Sequence, residues 1–241
     1  MTQLLHIDAS ARSLAVAPGR SGSHTRRLSA RFVARWLAAR PGDRVLRRDL
    51  GETPPALLSG AFVAAAFTRP AQRTKAMQQV LLESDLLIDE LLASQLIVIG
   101  APMYNFGPPA QLKVYIDNIV RVGRTFGFDR SRVGEPYFPL LTAAHKKVVL
   151  LSARGDFGYG PGERNAHMNH NEPGIITALA YIGITDVESI AIEYDEFQDA
   201  RLRASIDRAE RALDAMVDRL LASGLAGSAH NDALASVERC G

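Results

Sequence analysis

Leu96-Ile97-Val98-Ile99-Gly100-Ala101-Pro102-Met103-Tyr104-Asn105-Phe106-Gly107-Pro108-Pro109 is the stretch that decides the fold. It opens on an unbroken apolar run, which predicts a strand over Leu96 to Gly100 covered on both faces, as at the centre of a parallel sheet. Pro108 and Pro109 suit the start of a helix, where a missing N–H costs nothing. Leu112, Tyr115, Ile116, Ile119 and Val120 then recur at helical spacing. Strand, aromatic loop and helix in this order make one βα unit.

Working outward, Lys147 to Ser152 is a second run of the same kind, and Leu4 to Asp8, Arg44 to Arg48 and Val187 to Ile192 complete five expected strands. Between them, Leu28, Phe32, Val33, Trp36 and Leu37 mark the core-facing stripe of one helix, and Met77, Val80, Leu81, Leu87, Ile88 and Leu91 that of another. Leu202, Ile206, Leu213, Met216, Val217 and Leu220 describe a last helix. Strands alternating with helices through right-handed crossovers predict a doubly wound α/β fold with a five-stranded parallel sheet of order 2-1-3-4-5. Ligands of such sheets sit beyond the C-terminal ends of the strands, where the strand order reverses.

With 241 residues, 47% hydrophobic and 22% charged, the chain fits a single domain over residues 1–222. Residues 223–241 read as a flexible tail, because the text after Ser223 is small and polar with no period. A formal charge of +2 with dispersed arginines argues against a nucleic-acid partner, and no run reaches the length of a membrane span. Cys240 is the only cysteine, so no disulfide can form within the chain. Together with an N-terminus that lacks the pattern of a secretory signal, it predicts a cytoplasmic protein.

The strand-end rule directs attention to the loops after the first, third and fourth strands. After the first, Ser10 and the helix opening Ser21-Gly22-Ser23 offer hydroxyls and free N–H groups for one phosphate; Ser23 equally suits a helix N-cap. The text lacks both the G-x-G-x-x-G fingerprint and the Walker pattern, which favours a mononucleotide over NAD or ATP as the resident ligand. After the third strand, Pro102 to Phe106 suits a flat ring, with Asn105 reading its polar edge and Met103, Tyr104 and Phe106 bordering its faces; the same residues can also serve as packing between helices. After the fourth, Ser152-Ala153-Arg154-Gly155-Asp156 is a loop where backbone can approach a ligand closely.

These segments, together with Gln111-Leu112-Lys113, Arg121-Val122-Gly123-Arg124-Thr125-Phe126 and Ile182-Gly183-Ile184-Thr185-Asp186, resemble the FMN-dependent NADH-azoreductase family. The similarity runs from Leu4 to Leu221, and Pro-Met-Tyr-Asn-Phe ahead of a helix is its most specific element. The resemblance implies a flavodoxin-like fold with FMN bound. Its phosphate would lie on Ser10, Ser21, Gly22 and Ser23, its ring along Pro102, Met103, Tyr104, Asn105 and Phe106, and its pyrimidine side at Ser152, Ala153, Arg154, Gly155 and Asp156. It further implies NADH or NADPH as co-substrate, quinones and azo compounds as acceptors, and a cytoplasmic homodimer with the site at its interface. Three departures stand out. The family's Ser-Arg-Gly-Gly reads Ala153-Arg154-Gly155-Asp156 here, which brings a carboxylate toward the expected ring edge; the loop from Ser10 to Ser21 is longer; and Phe128 to Pro139 has its own text.

The expected reaction is a two-electron ping-pong transfer through the flavin with no side chain as obligatory acid or base. Tyr104, Phe126 and Phe157 are the candidates for stacking on the substrate. A flavodoxin-type electron carrier is the alternative, and the near-neutral charge offers it no acidic docking face. A hydrolase would need a metal or a nucleophile. His167 and His170 lack a third ligand, and Asp8 reads as a strand-end hydrogen-bonding residue. The Arg26-Arg27 pair reads as part of a solvated helix face.

Overall fold

The computed structural model describes residues 1–14 and 22–223. Five parallel strands form the central sheet: β1 (Gln3–Asp8), β2 (Arg44–Asp49), β3 (Leu96–Pro102), β6 (Lys147–Ala153) and β7 (Asp186–Ile192), in the order β2-β1-β3-β6-β7. Set beside the expected 2-1-3-4-5, this is the same arrangement. The numbering differs because a small antiparallel pair, β4 (Phe126–Phe128) and β5 (Tyr137–Pro139), stands between β3 and β6. The strand order reverses between β1 and β3, so the crevice between their C-terminal ends is where a ligand is expected.

Side chains along each strand alternate between two cores. Leu5, Ile7, Ile97, Ile99, Val148 and Leu150 pack against helices α3 (Lys75–Ala93), α4 (Ala110–Ile119) and α5 (Glu172–Tyr181). Leu4, Leu96, Val98, Val149 and Leu151 pack against α1 (His24–Ala39) and α6 (Ala200–Ala222). Each fully buried Leu or Ile contributes about 1.5–3 kcal/mol. α2 (Gly60–Phe67) packs on α3 through Phe62, Ala65 and Leu81. Val80 falls on the outer face of α3 rather than in its core stripe.

The helices missing from the sequence reading have weak signals. α2 reads GAFVAAAF, nearly all apolar and therefore without a period, and α5 carries Pro173, Gly174 and β-branched residues in ten positions. Among the described residues no helix is long and apolar enough to cross a membrane.

Candidate functional site

A cavity of about 380 Å³ opens at the C-terminal ends of the strands. Five segments wall it: Ser10 and Arg12 after β1; Ser23, His24 and Thr25 at the start of α1; Pro102 to Asn105 after β3; Ala153 to Gly155 after β6; and Asp195 and Glu196 after β7.

At one end stands the N-terminus of α1. Ser23 is its N-cap, accepting from the Arg26 N–H at 3.3 Å, and its Oγ lies 3.2 Å from the Thr25 hydroxyl. The first turn holds no acidic residue of its own, so the positive end of the helix dipole is turned to the cavity. Ser10, buried, accepts from the Arg12 N–H at 3.1 Å. Gly22 lies against the Leu14 carbonyl, where a Cβ would come within 2.7 Å, and is not part of the lining. Ser21 lies outside the described residues. Thr25, passed over in the sequence, joins the lining instead.

At the other end the chain folds over on itself between Tyr104 and Gly107, whose N–H and C=O groups pair at 2.9 and 3.1 Å. Asn105 and Phe106 both take left-handed backbone, with φ of 47° and 71°, the signature of a type I′ turn. Asn tolerates this conformation; for Phe it is strained, at a cost of order 1–3 kcal/mol. The surroundings hold it there: the Phe106 carbonyl accepts from the His170 N–H at 2.9 Å, and the Tyr104 hydroxyl accepts from the Ala11 N–H at 3.2 Å. Met103, Tyr104 and Asn105 thereby border the cavity, while Phe106 stands outside its lining, 42% exposed.

The third wall is charged but largely neutralised. Arg154 is buried between Glu172 and Glu193, so its charge is matched within the protein. Asp195 receives Arg12 Nη1 and His24 Nε2, each at 2.8 Å. Burial alone would raise the Asp195 carboxyl; the bonds from His24 and Arg12 outweigh it and hold the group below the usual carboxylate range. Since the Arg27 guanidinium can only donate, its 2.9 Å contact makes His24 Nδ1 an acceptor and leaves Nε2 to donate to Asp195. Gly155 lies against the Glu196 side chain, where a Cβ would come within 2.5 Å of Oε1.

The remaining expected site residues lie elsewhere. Ser152 is buried beneath the cavity floor, donating to the Ala101 carbonyl and accepting from Asn171, each at 3.1 Å. Asp156 turns to Arg164 at 2.6 Å and Asn165 at 3.2 Å and does not line the cavity. Phe157 stacks on Tyr194 with ring centroids 4.6 Å apart, beneath Arg164, and Phe126, within β4, packs against Tyr137 of β5 and Tyr181 of α5. Neither phenylalanine reaches the cavity of the single chain. Arg12, His24, Thr25, Asp195 and Glu196 are lining residues that the sequence reading missed. The strand-end rule applied to the fifth strand would have found the last two. Among the described residues no group of His, Cys, Asp and Glu stands together so as to hold a metal ion.

The profile of a family described as having a flavodoxin-like fold matches residues 2–217. FMN-dependent NADH:quinone oxidoreductase 2 of Colwellia psychrerythraea is 38% identical over 221 residues, 92% of this chain and 100% of that protein. FMN-dependent NAD(P)H:quinone oxidoreductase 1 of Pseudomonas aeruginosa is 42% identical over 217 residues, 90% and 98% of the two chains. The chain belongs to this family of flavodoxin-like quinone oxidoreductases. In fold it also matches an azoreductase from Bacillus anthracis with a TM-score of 0.76 at 22% identity, over 91% of this chain and 100% of that one. The site of this quinone oxidoreductase family member is thus built where the flavodoxin-like sheet predicts, and its walls suit a flavin monophosphate. Hydroxyls and a helix N-terminus with no acidic residue of its own form one part of the wall, and a bent backbone edge with Met and Tyr another.

Proposed function

We propose that the protein is an FMN-dependent NAD(P)H oxidoreductase that reduces quinones and aromatic azo compounds. The observation that carries this reading is the cavity at the β1/β3 reversal, walled by Ser10, Ser23 and Thr25 together with Pro102 to Asn105, in a chain 36–42% identical to FMN-dependent quinone oxidoreductases over most of its length. Ser10, Ser23, Thr25 and the first turn of α1 would hold the phosphate, and Pro102 to Asn105 would border the ring. Ala153 to Gly155 would approach its polar edge. Bound there, the flavin supplies acceptance of two electrons from a nicotinamide and their delivery to the acceptor. The protein's part is to fix the ring, offer one open face to donor and acceptor in turn, and hold Arg154 and Asp195 in place through their ion pairs.

The working unit we infer is a homodimer in the cytoplasm. Phe106, Phe128, Tyr137, Leu140 and Tyr181 leave apolar surface exposed, more readily explained by a covering partner than by solvent; with the site at such an interface, Phe126 and Phe157 would meet the substrate only from the partner subunit. The single cysteine is compatible with a reducing compartment.

An absorbance spectrum tests the reading. The purified protein should show flavin bands that bleach on anaerobic addition of NADH and return with a quinone, and steady-state rates should give parallel double-reciprocal lines. A protein that takes up no FMN refutes the function. One that bleaches yet turns over no quinone or azo compound points to an electron carrier.

A further inference from the structure

Arg26 is 5% exposed, rare for an arginine, and does not line the cavity. The sequence placed it with Arg27 on a solvated face; only Arg27 is there. Its Nη1 and Nη2 grip Asp49 in a bidentate pair at 2.5 and 2.7 Å. Nη2 also donates to the Ser10 carbonyl at 2.8 Å and Nε to the Arg12 carbonyl at 2.9 Å. One rigid plane therefore joins three segments: the first turn of α1, the loop after β1 and the end of β2. Asp8 adds a second carboxylate 3.6 Å from Nη1, and Asp49 Oδ1 extends the lock by accepting from the N–H groups of Gly51 and Glu52. Gly51 is required here, because a Cβ would overlap the Ser10 carbonyl and come within 2.6 Å of Arg26 Nη2.

The lock has a consequence for anions. A carbonyl oxygen facing a phosphate repels it, and the carbonyls of Ser10 and Arg12, the two lining residues after β1, are both engaged by Arg26, which stands outside the lining. We propose that Arg26 is the positioning residue for the terminal phosphate. It turns the Ser10 and Arg12 carbonyls away and holds the Ser10 hydroxyl in register with Ser23 and the α1 N-terminus, so that the site prefers flavin monophosphate to flavin without phosphate. The inference rests on the flavin reading above. It makes Arg26 necessary for phosphate recognition and indifferent to the ring.

Titration of full-length protein freed of bound flavin with FMN and with riboflavin tests this. Wild type should prefer FMN. Arg26→Met should lose about ten- to a hundredfold of its FMN affinity, the range expected for hydrogen bonds to a charged group, while riboflavin affinity stays within about twofold. Arg26→Lys keeps the charge but cannot span Asp49 and two carbonyls, so it should behave likewise. Gly51→Ala, which disturbs the same lock from the other side, should also collapse the FMN-to-riboflavin ratio. If Arg26→Met does not fold, the other two variants read the same ratio. Equal losses for both ligands would reduce Arg26 to a general structural residue, and retained FMN preference in Arg26→Lys and Gly51→Ala would overturn the proposal. Failure of wild type to bind either flavin would instead sink the functional reading and this inference with it.

Discussion

At Ser23 one hydroxyl caps α1 and lines the cavity, so its removal should be felt twice. Ser23→Ala should lower unfolding stability by about 1 kcal/mol through loss of the cap and weaken FMN by about 1.5–3 kcal/mol through loss of a bond to charged phosphate. Ser10→Ala should show the second effect. Denaturant melts of flavin-free protein and FMN titrations separate the two, and full FMN affinity in Ser23→Ala would show that the hydroxyl only caps. The carboxylates near the site divide differently from what their order in the chain suggests. Asp156 is bound to Arg164 and Asn165, whereas Asp195 lines the cavity. A carboxylate in the cavity wall opposes the gain of negative charge by the flavin, and Arg12 and His24 offset part of it, so Asp195→Asn should raise the flavin midpoint potential by at most on the order of tens of millivolts, and Asp156→Gly should leave it unchanged. Equilibration with a reference dye measures both, and the reverse ranking would place Asp156 at the ring.

At the scale of elements, the loops after β6 and β7 and the start of α5 are joined through Arg154, which meets Glu172 of α5 and Glu193 after β7. Arg154 itself lines the cavity, and the two glutamates hold it in that wall. Arg154→Met would leave Glu172 buried with an uncompensated charge, a loss of about 3–5 kcal/mol. Adding Glu172→Gln should restore a large part of it. Urea unfolding of the single and double variants checks this, and a single-variant loss below about 1 kcal/mol would mean that Glu172 is not held by Arg154. The turn at Tyr104 to Gly107 is the opposite kind of element: local preference resists it at Phe106, and contacts from Ala11 and His170 hold it.

For the whole molecule, Lys146 at the N-terminal edge of the sheet sets a pH dependence. It is 5% exposed, caps the end of α3 through the Leu92 and Ser94 carbonyls, and meets no carboxylate. Burial lowers its pKa from 10.5 to about 8. Below pH 8 the lysine is charged in both folded and unfolded chains. Between about pH 8 and 10.5 the unfolded chain holds the proton that the folded one has released, so this group's contribution to stability rises with pH, by at most about 3 kcal/mol. Compared with Lys146→Met, wild type should therefore gain stability across that window in chemical denaturation; a flat difference would show that the lysine titrates near its ordinary value. At the level of assembly, light scattering should give twice the chain's 26.2 kDa, and an active monomer would contradict a site completed at an interface.

The sequence by itself determined the sheet, its five strands and the end of the sheet at which the cavity opens, because buried apolar runs and helical stripes are local patterns that chain connectivity converts into one topology. It also picked out Ser10, Ser23 and Pro102 to Asn105, since hydroxyls at a helix start and an aromatic loop after a central strand can be read without neighbours. Only the tertiary structure decided which charged groups face the cavity. Arg26 and Arg27 are adjacent in the chain yet one is buried behind the phosphate loop and the other solvated. Asp156, expected toward the ring, is bound to Arg164 and Asn165, and Asp195, which the sequence did not point to, lines the cavity. Each outcome depends on a partner far away in sequence, Asp49 for Arg26 and His24 for Asp195. A charge's surroundings are set by folding, and no periodicity along the chain encodes them.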